Sequence, residues 1–346
     1  MTETQWHVLF DIIDGNTSRH EIGFIIDSPW LPGWYHIPII DYYSSDELWF
    51  KANKKAADTF PEVIFLPGFW SEYGMCTEPS AFGAKCIFPQ NDFPNVNNLP
   101  FKDYNFEKLV KPNPVSDGLL PFVINRLKLM QNRVHKAGHI YPFAVSRGPL
   151  NIASFLLGTT EFLMLIKLEP GKAHHVLTVI TDFICDWLEY QLKTFPTMDG
   201  IMVLDDIVGF LGKEDFKEFA YPSLKQIFSQ FSVKAKFFHD DAPCLVSAPF
   251  LSKIGINMLN FGIDTNINEM RNLCGPNIVL VGNIPPRDVL ADGTPEEVRT
   301  SVQTQFKLMK GSSSRVMMSC GGGMPPGTST DNLKTFIDEV EKYRIS

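Results

Sequence analysis

Short runs of apolar and β-branched residues recur along the chain, each followed by a longer stretch with apolar positions at helical spacing. The runs are EIGFIID (21–27), EVIFLPG (62–68), IYPFAVS (140–146), GIMVLDD (200–206), KAKFFHD (234–240), NMLNFG (257–262), NIVLVGN (277–283) and RVMMSC (315–320). Helical periodicity falls on 44–60, 119–138, 173–195, 222–232, 265–275, 295–311 and 330–346. Eight buried strands alternating with helices predict a (β/α)8 barrel, with a doubly wound open sheet as the rival arrangement. Residues 70–120, rich in Pro, Asn and aromatic residues, read as a long excursion after the second strand and not as a second domain, so 1–346 is expected to be one barrel domain.

In such a barrel the chemistry sits at the C-terminal ends of the strands, where the following loops converge. The residues ending the runs are Asp27, Arg147, Asp205, Asp206, His239 with Asp240 and Asp241, Asn260, Asn283 and Cys320. Most are polar or ionisable, which favours a site over bland loop ends. Each has a plainer reading. Asp205 and Asp206 suit helix N-caps after GIMVL. His239 suits a satisfied core histidine, and Cys320 an inert buried thiol. Against this, HDDAPC puts two carboxylates and a thiol within five residues of an imidazole, a mixture that suits a zinc-like ion. Cys76 and Glu78, in the excursion, are either lid residues or ordinary loop. His174 and His175 fall in a helical pattern and read as structural or exposed.

The segment CGGGMPPGT lacks the Lys-Ser/Thr of a phosphate-binding loop and stands far from the first strand, so its glycines are read as close backbone contact with a ligand. Ser329 or Thr330 then caps the last helix. Composition narrows the rest. A net charge of -8 lacks the basic excess of a nucleic-acid binder. No apolar run reaches the roughly 18 residues of a membrane span and no secretory leader is recognisable, which leads to the expectation of a cytoplasmic protein. Six dispersed cysteines, with no CxxC pair, read as reduced thiols and argue against a closed zinc ribbon.

At this point the motifs carry a resemblance. VGNIPPRDVLADGTPEEV (281–298) and SCGGGMPPGTSTDNLKTFIDEV (319–340) resemble the C-terminal signature of the uroporphyrinogen decarboxylase superfamily. RGPLNIASFLLGTTEFL, DGIMVLDDIVGFLGKEDFKEFAYPSLKQI, KAKFFHDDA and SKIGINMLNFG agree in order, from about residue 140 onward. The resemblance implies the barrel independently, and two chemistries. One is decarboxylation of a tetrapyrrole or another acidic substrate, for which Arg147, Arg271 and Arg287 are the available cationic anchors. The other, which we take as the expectation, is methyl transfer between a small methyl donor or acceptor and the cobalt of a partner corrinoid protein.

The N-terminal region has no arginine cluster, and Gly322 stands where the decarboxylases carry a His. In the thiol-methylating branch, zinc is held by a His-x-Cys pair and a later Cys. Here His239 matches the His, Asp241 takes the first Cys position, and Cys320 lies two residues before the later one. The resemblance therefore implies a metal set of His239, Asp241 and Cys320, with zinc as the ion. Asp205 and Asp206 are expected to handle substrate or protons, and Asn283 to orient the pocket. Arg147, Glu78, Gly321, Gly322 and Gly323 are expected to touch substrate. A binding role without turnover is the third reading.

Overall fold

The computed structural model describes residues 1–17, 19–26, 29–101, 106, 109–309 and 315–344. In chain order the strands are β1 (Glu21–Ile25), β2 (Val63–Leu66), β3 (Lys85–Ile87), β4 (Asn95–Asn98), β5 (Phe143–Arg147), β6 (Gly200–Leu204), β7 (Ala235–Asp240), β8 (Met258–Phe261), β9 (Val279–Ile284) and β10 (Val316–Cys320). Eight of them form one parallel sheet in the order β2-β1-β10-β9-β8-β7-β6-β5, with helices between successive strands, the arrangement of a TIM-type (β/α)8 barrel. All eight expected strands are present within a few residues of their predicted limits; Asp27, at the end of the first run, lies outside the described residues. The excursion after β2 carries the short helix Thr77–Ala81 and the antiparallel pair β3–β4.

Strand alternation divides the core in two. Ile25, Leu66, Val145, Met202, Phe237, Met258, Val281 and Met317 pack inside the barrel, whereas Phe24, Phe65, Ala144, Val203, Phe238, Leu259, Leu280 and Met318 pack between the sheet and the helices. The N-terminal helix Glu3–Asp14, which hydrophobic spacing had not marked, sends Trp6, Leu9, Ile12 and Ile13 into the inner core. It is set by a capping box between Thr2 and Gln5. Trp6 packs edge-on to Phe143, 5.0 Å between ring centroids, so this helix covers the end of the barrel where the strands begin.

The sheet has a seam between β2 and β5, where no strand ladder is formed among the described residues. The Gly148 N–H bonds to Leu204 on β6, so by alternation Val145 and Arg147 present their backbone groups to the seam. Side chains take the place of the missing strand. Gln191 accepts from the Val145 N–H at 3.0 Å and donates to its carbonyl at 2.9 Å. Glu78 accepts from the Arg147 N–H at 3.1 Å. An edge strand buried under a helix needs these partners, because each unpaired buried backbone group costs about 1–3 kcal/mol.

The helix Pro149–Leu157 after β5 was also unmarked by periodicity. It is buried on nearly every side, so its sequence PLNIASFLL shows no polar face. Among the described residues no single helix is long and apolar enough to cross a membrane.

Candidate active site and metal centre

His239 lies on the inward face near the end of β7, with 8% of its side chain exposed. In the adjacent strand, Asn260 stands directly beside it in register, and its Oδ1 is 2.8 Å from His239 Nδ1. The Asn260 amide nitrogen is already committed, donating to the carbonyls of Val281 at 2.8 Å and Cys320 at 3.2 Å. Asn260 must therefore accept at Oδ1, and the proton between the two residues belongs to His239 Nδ1. In the neutral imidazole this leaves Nε2 as a lone pair.

That lone pair faces two carboxylates. Asp206 Oδ1 is 3.5 Å from Nε2 and Asp241 Oδ2 is 4.0 Å away. The ligand atoms of Asp206, His239 and Asp241 all lie within 4.8 Å of one another. Asp206 follows β6 and Asp241 follows β7; the Asp241 N–H donates to Asp206 Oδ1 at 3.2 Å, which locks the two loop starts together. Among the described residues, His239 is the only nitrogen base ion-paired with either acid. Burial raises the Asp241 carboxyl above its ordinary range, His239 opposes this, and the Asp206 charge adds to it. A lone pair facing two like charges is stabilised by a proton or by a cation, and the donor set of one imidazole and two carboxylates fits a divalent ion with open positions.

Three expected residues have other surroundings. Asp205 is fully buried and accepts from the N–H groups of Leu150 at 2.8 Å and Asn151 at 2.9 Å, so it caps the helix that follows the neighbouring strand β5. Burial pushes its carboxyl well above the usual range while the helix N–H groups pull it down. Both of its oxygens are thus engaged with helix backbone. A β-carbon at Gly148 would come 2.3 Å from Asp205, so the cap depends on that glycine.

Cys320 is the second. Met317 packs in the inner core, whereas Met318 and Cys320 belong to the outer one, with the Cys320 thiol directed to the carbonyls of Gly322 at 3.5 Å and Gly323 at 3.6 Å. Cys320 does not join Asp206, His239 and Asp241. Arg147 is the third: its guanidinium pairs with Glu72 at 3.1 Å and Glu78 at 3.5 Å, all three side chains at most 5% exposed. Glu78 is thus Arg147's partner, and Glu72 is a member of the group that sequence reasoning missed.

Asn283 donates to the carbonyls of Gly262 at 2.9 Å and Thr265 at 2.8 Å, and so holds the loop after β8. Its Oδ1 is buried without a partner among the described residues. Gly321 packs against the end of β8, and Gly322 against Asp241. Ser329 caps the final helix as expected, accepting from the Asn332 N–H at 3.1 Å. Asn260 was visible as a polar strand ending, but its role depends on register with His239.

Eight parallel strands, with Asp206, His239 and Asp241 gathered at their C-terminal ends, define a TIM-type barrel with a polar mouth. The chain belongs to the uroporphyrinogen decarboxylase (URO-D) family, whose profile matches residues 40–343. It is 22% identical over 280 residues to uroporphyrinogen decarboxylase of Ruthia magnifica subsp. Calyptogena magnifica, covering 77% of this chain and 78% of that protein. It is 20% identical over 286 residues to the methylated-thiol–coenzyme M methyltransferase of Methanosarcina mazei, covering 82% and 75%. A solved methyltransferase from Methanosarcina mazei shares the fold with a TM-score of 0.80 at 16% identity, over 97% of each chain.

Proposed function

We propose that this protein is a methyltransferase that passes a methyl group between a small substrate and the cobalt of a partner corrinoid protein, assisted by a divalent ion at Asp206, His239 and Asp241. The observation that carries the reading is the orientation of His239. Asn260 holds the proton on Nδ1, so Nε2 is presented as a lone pair to two carboxylates at the mouth. The relative that acts in methyl transfer and the family match support the same reading.

Moving a methyl group away from oxygen, nitrogen or sulfur leaves an electron pair on that heteroatom, and the reverse direction needs that pair made available. A partner's corrinoid would supply the cobalt for the methyl group, and a zinc-like ion held by Asp206, His239 and Asp241 would supply Lewis acidity toward the heteroatom. The chain's own residues do the rest: Asp206 and Asp241 bring negative charge beside Nε2, Asn260 keeps the imidazole in one tautomer, and Asn283 and Asp205 hold the surrounding backbone. The donor set departs from the thiolate set implied by the resemblance, because Cys320 faces the outer core.

The decarboxylase reading asks for cations free to hold acidic groups. Arg147 is neutralised by two glutamates. Arg271 donates to the carbonyls of Gly275, Ile278 and Arg315, near the start of β9 and β10. Arg287 alone of the three is left exposed.

Elemental analysis of anaerobically purified protein tests the proposal, together with methyl transfer to and from cob(I)alamin using a methoxylated arene and a methylated thiol. About one divalent ion per chain is expected, lost in His239→Ala with a rate loss on the order of a hundredfold. Full ion content and full rate in that variant would sink the metal assignment. Carbon dioxide release from an acidic tetrapyrrole without any methyl transfer would replace the reading with decarboxylation.

A further inference from the structure

The excursion after β2 contains two of the six cysteines. Cys76 is fully buried, immediately before the short helix Thr77–Ala81, and Cys86 is half-buried on β3. The two thiols lie close enough to shift each other's ionisation. Cys86 Sγ also lies 4.0 Å from the Cys76 carbonyl and 3.8 Å from that of Ala84. The chain brings them together by turning back at Gly83, whose φ of +86° suits glycine, and by a register irregularity between Lys85 and Cys86.

We propose that Cys76 and Cys86 are a reversible dithiol–disulfide pair that fastens the β3–β4 hairpin to the segment carrying Glu78. The two thiols are unequal in a way that assigns roles. The adjacent Cys76 thiol lowers the pKa of Cys86, whose partial exposure admits a small oxidant. The Cys86 thiol and burial raise that of Cys76, while nearby Arg147 opposes the rise.

With a low-molecular-weight disulfide RSSR as oxidant, the Cys86 thiolate attacks one sulfur, the S–S bond breaks and RS⁻ leaves. Cys86 is then a neutral mixed disulfide, so its charge no longer opposes ionisation of Cys76. Cys76 loses its proton and attacks Cys86 Sγ, expelling the second RS⁻. In balance, two protein thiols and RSSR give one protein disulfide and two RSH, with the protein oxidised and RSSR reduced.

The device has a direct line to the mouth. Two residues after Cys76, Glu78 accepts from the Arg147 N–H and pairs with its guanidinium at the end of β5. A bond from Cys76 to the hairpin limits the movement of that anchor. The inference stands apart from the methyl-transfer reading, since it concerns the thiols alone.

The test is to equilibrate the full chain at graded ratios of glutathione to glutathione disulfide, quench by alkylation, and map the products by mass spectrometry of intact protein and digests. Expected are loss of the Cys76 and Cys86 alkylation sites together, a cross-linked peptide joining them, reversal by dithiothreitol, and slower amide hydrogen exchange over residues 85–98 in the oxidised form. Cys86→Ser removes the cross-link, and Cys76→Ala traps a lasting glutathione adduct on Cys86. Wild-type protein that accumulates the adduct on Cys86 without a cross-link, or in which both thiols stay alkylatable at every ratio, would overturn the proposal.

Discussion

Gly322 passes so close to Asp241 that a β-carbon on it would stand 2.9 Å from the carboxylate Oδ2. Its φ of +103° is also one that side chains rarely adopt. Gly322→Ala should destabilise the protein by roughly 1–3 kcal/mol and displace Asp241 from Nε2 of His239. Ion affinity should fall at least about tenfold, as for other disturbed ligand shells. Denaturant unfolding and a competitive chelator titration read the two effects separately.

Asn260 sets the tautomer of His239 through a single 2.8 Å contact. Removing the acceptor in Asn260→Ala should weaken ion binding by about 10–100-fold. Stability should also drop by about 1–3 kcal/mol, because the Val281 and Cys320 carbonyls lose their donor. Nitrogen-specific NMR of the His239 ring would check the tautomer directly. An unchanged Nδ1 proton in the variant would refute the assigned role.

Arg147→Met leaves Glu72 and Glu78 buried without their cation. A loss of about 3–5 kcal/mol is expected. Adding Glu72→Gln and Glu78→Gln should recover much of it, since the penalty is the stranded charge. Urea unfolding of the single and triple variants makes the comparison.

Asp240 points away from the barrel interior, fully buried, and among the described residues its carboxyl oxygens have no hydrogen-bond partner, with the weakly polar Cys244 thiol nearby. Burial first, then the charges of Asp206 and Asp205, raise its pKa well above the ordinary value. A raised folded-state pKa contributes stability that is fully present below the unfolded value near about 4 and is lost as pH rises through the folded value. Asp240→Asn cannot ionise. The variant should match wild type in acid and exceed it at neutral and alkaline pH by roughly 1–3 kcal/mol. Thermal unfolding across pH checks this; a variant less stable than wild type at pH 8 would contradict it.

The strands and most of the longer helices were legible because each buries a continuous apolar stretch or an amphipathic stripe. The helix Pro149–Leu157 was hidden because burial on every side erases the periodic signal. The N-terminal helix was hidden for another reason: its apolar face, with Trp6 and Leu9, is directed at the barrel end, and nothing nearby in sequence announces that partner.

For the site, the ordering of residues along the chain already marked His239, Asp206 and Asp241 as residues at or just after strand ends. The direction of Cys320 was a different matter. All five residues of VMMSC are buried, as in any strand covered on both faces, so hydrophobicity carries no phase and cannot tell inner from outer. Register with β9 and β1 decides that Met317 faces in and Cys320 faces out.

Local chemistry thus specified which residues end each strand, because propensity and burial act over a few neighbours. Tertiary pairing decided which of those ends meet: Asp205 went to a neighbouring helix, Arg147 to two glutamates from the excursion, and Asn260 to His239. Each of those partners lies at least 21 residues away in the chain, where only the closing of the sheet brings the groups within hydrogen-bond reach.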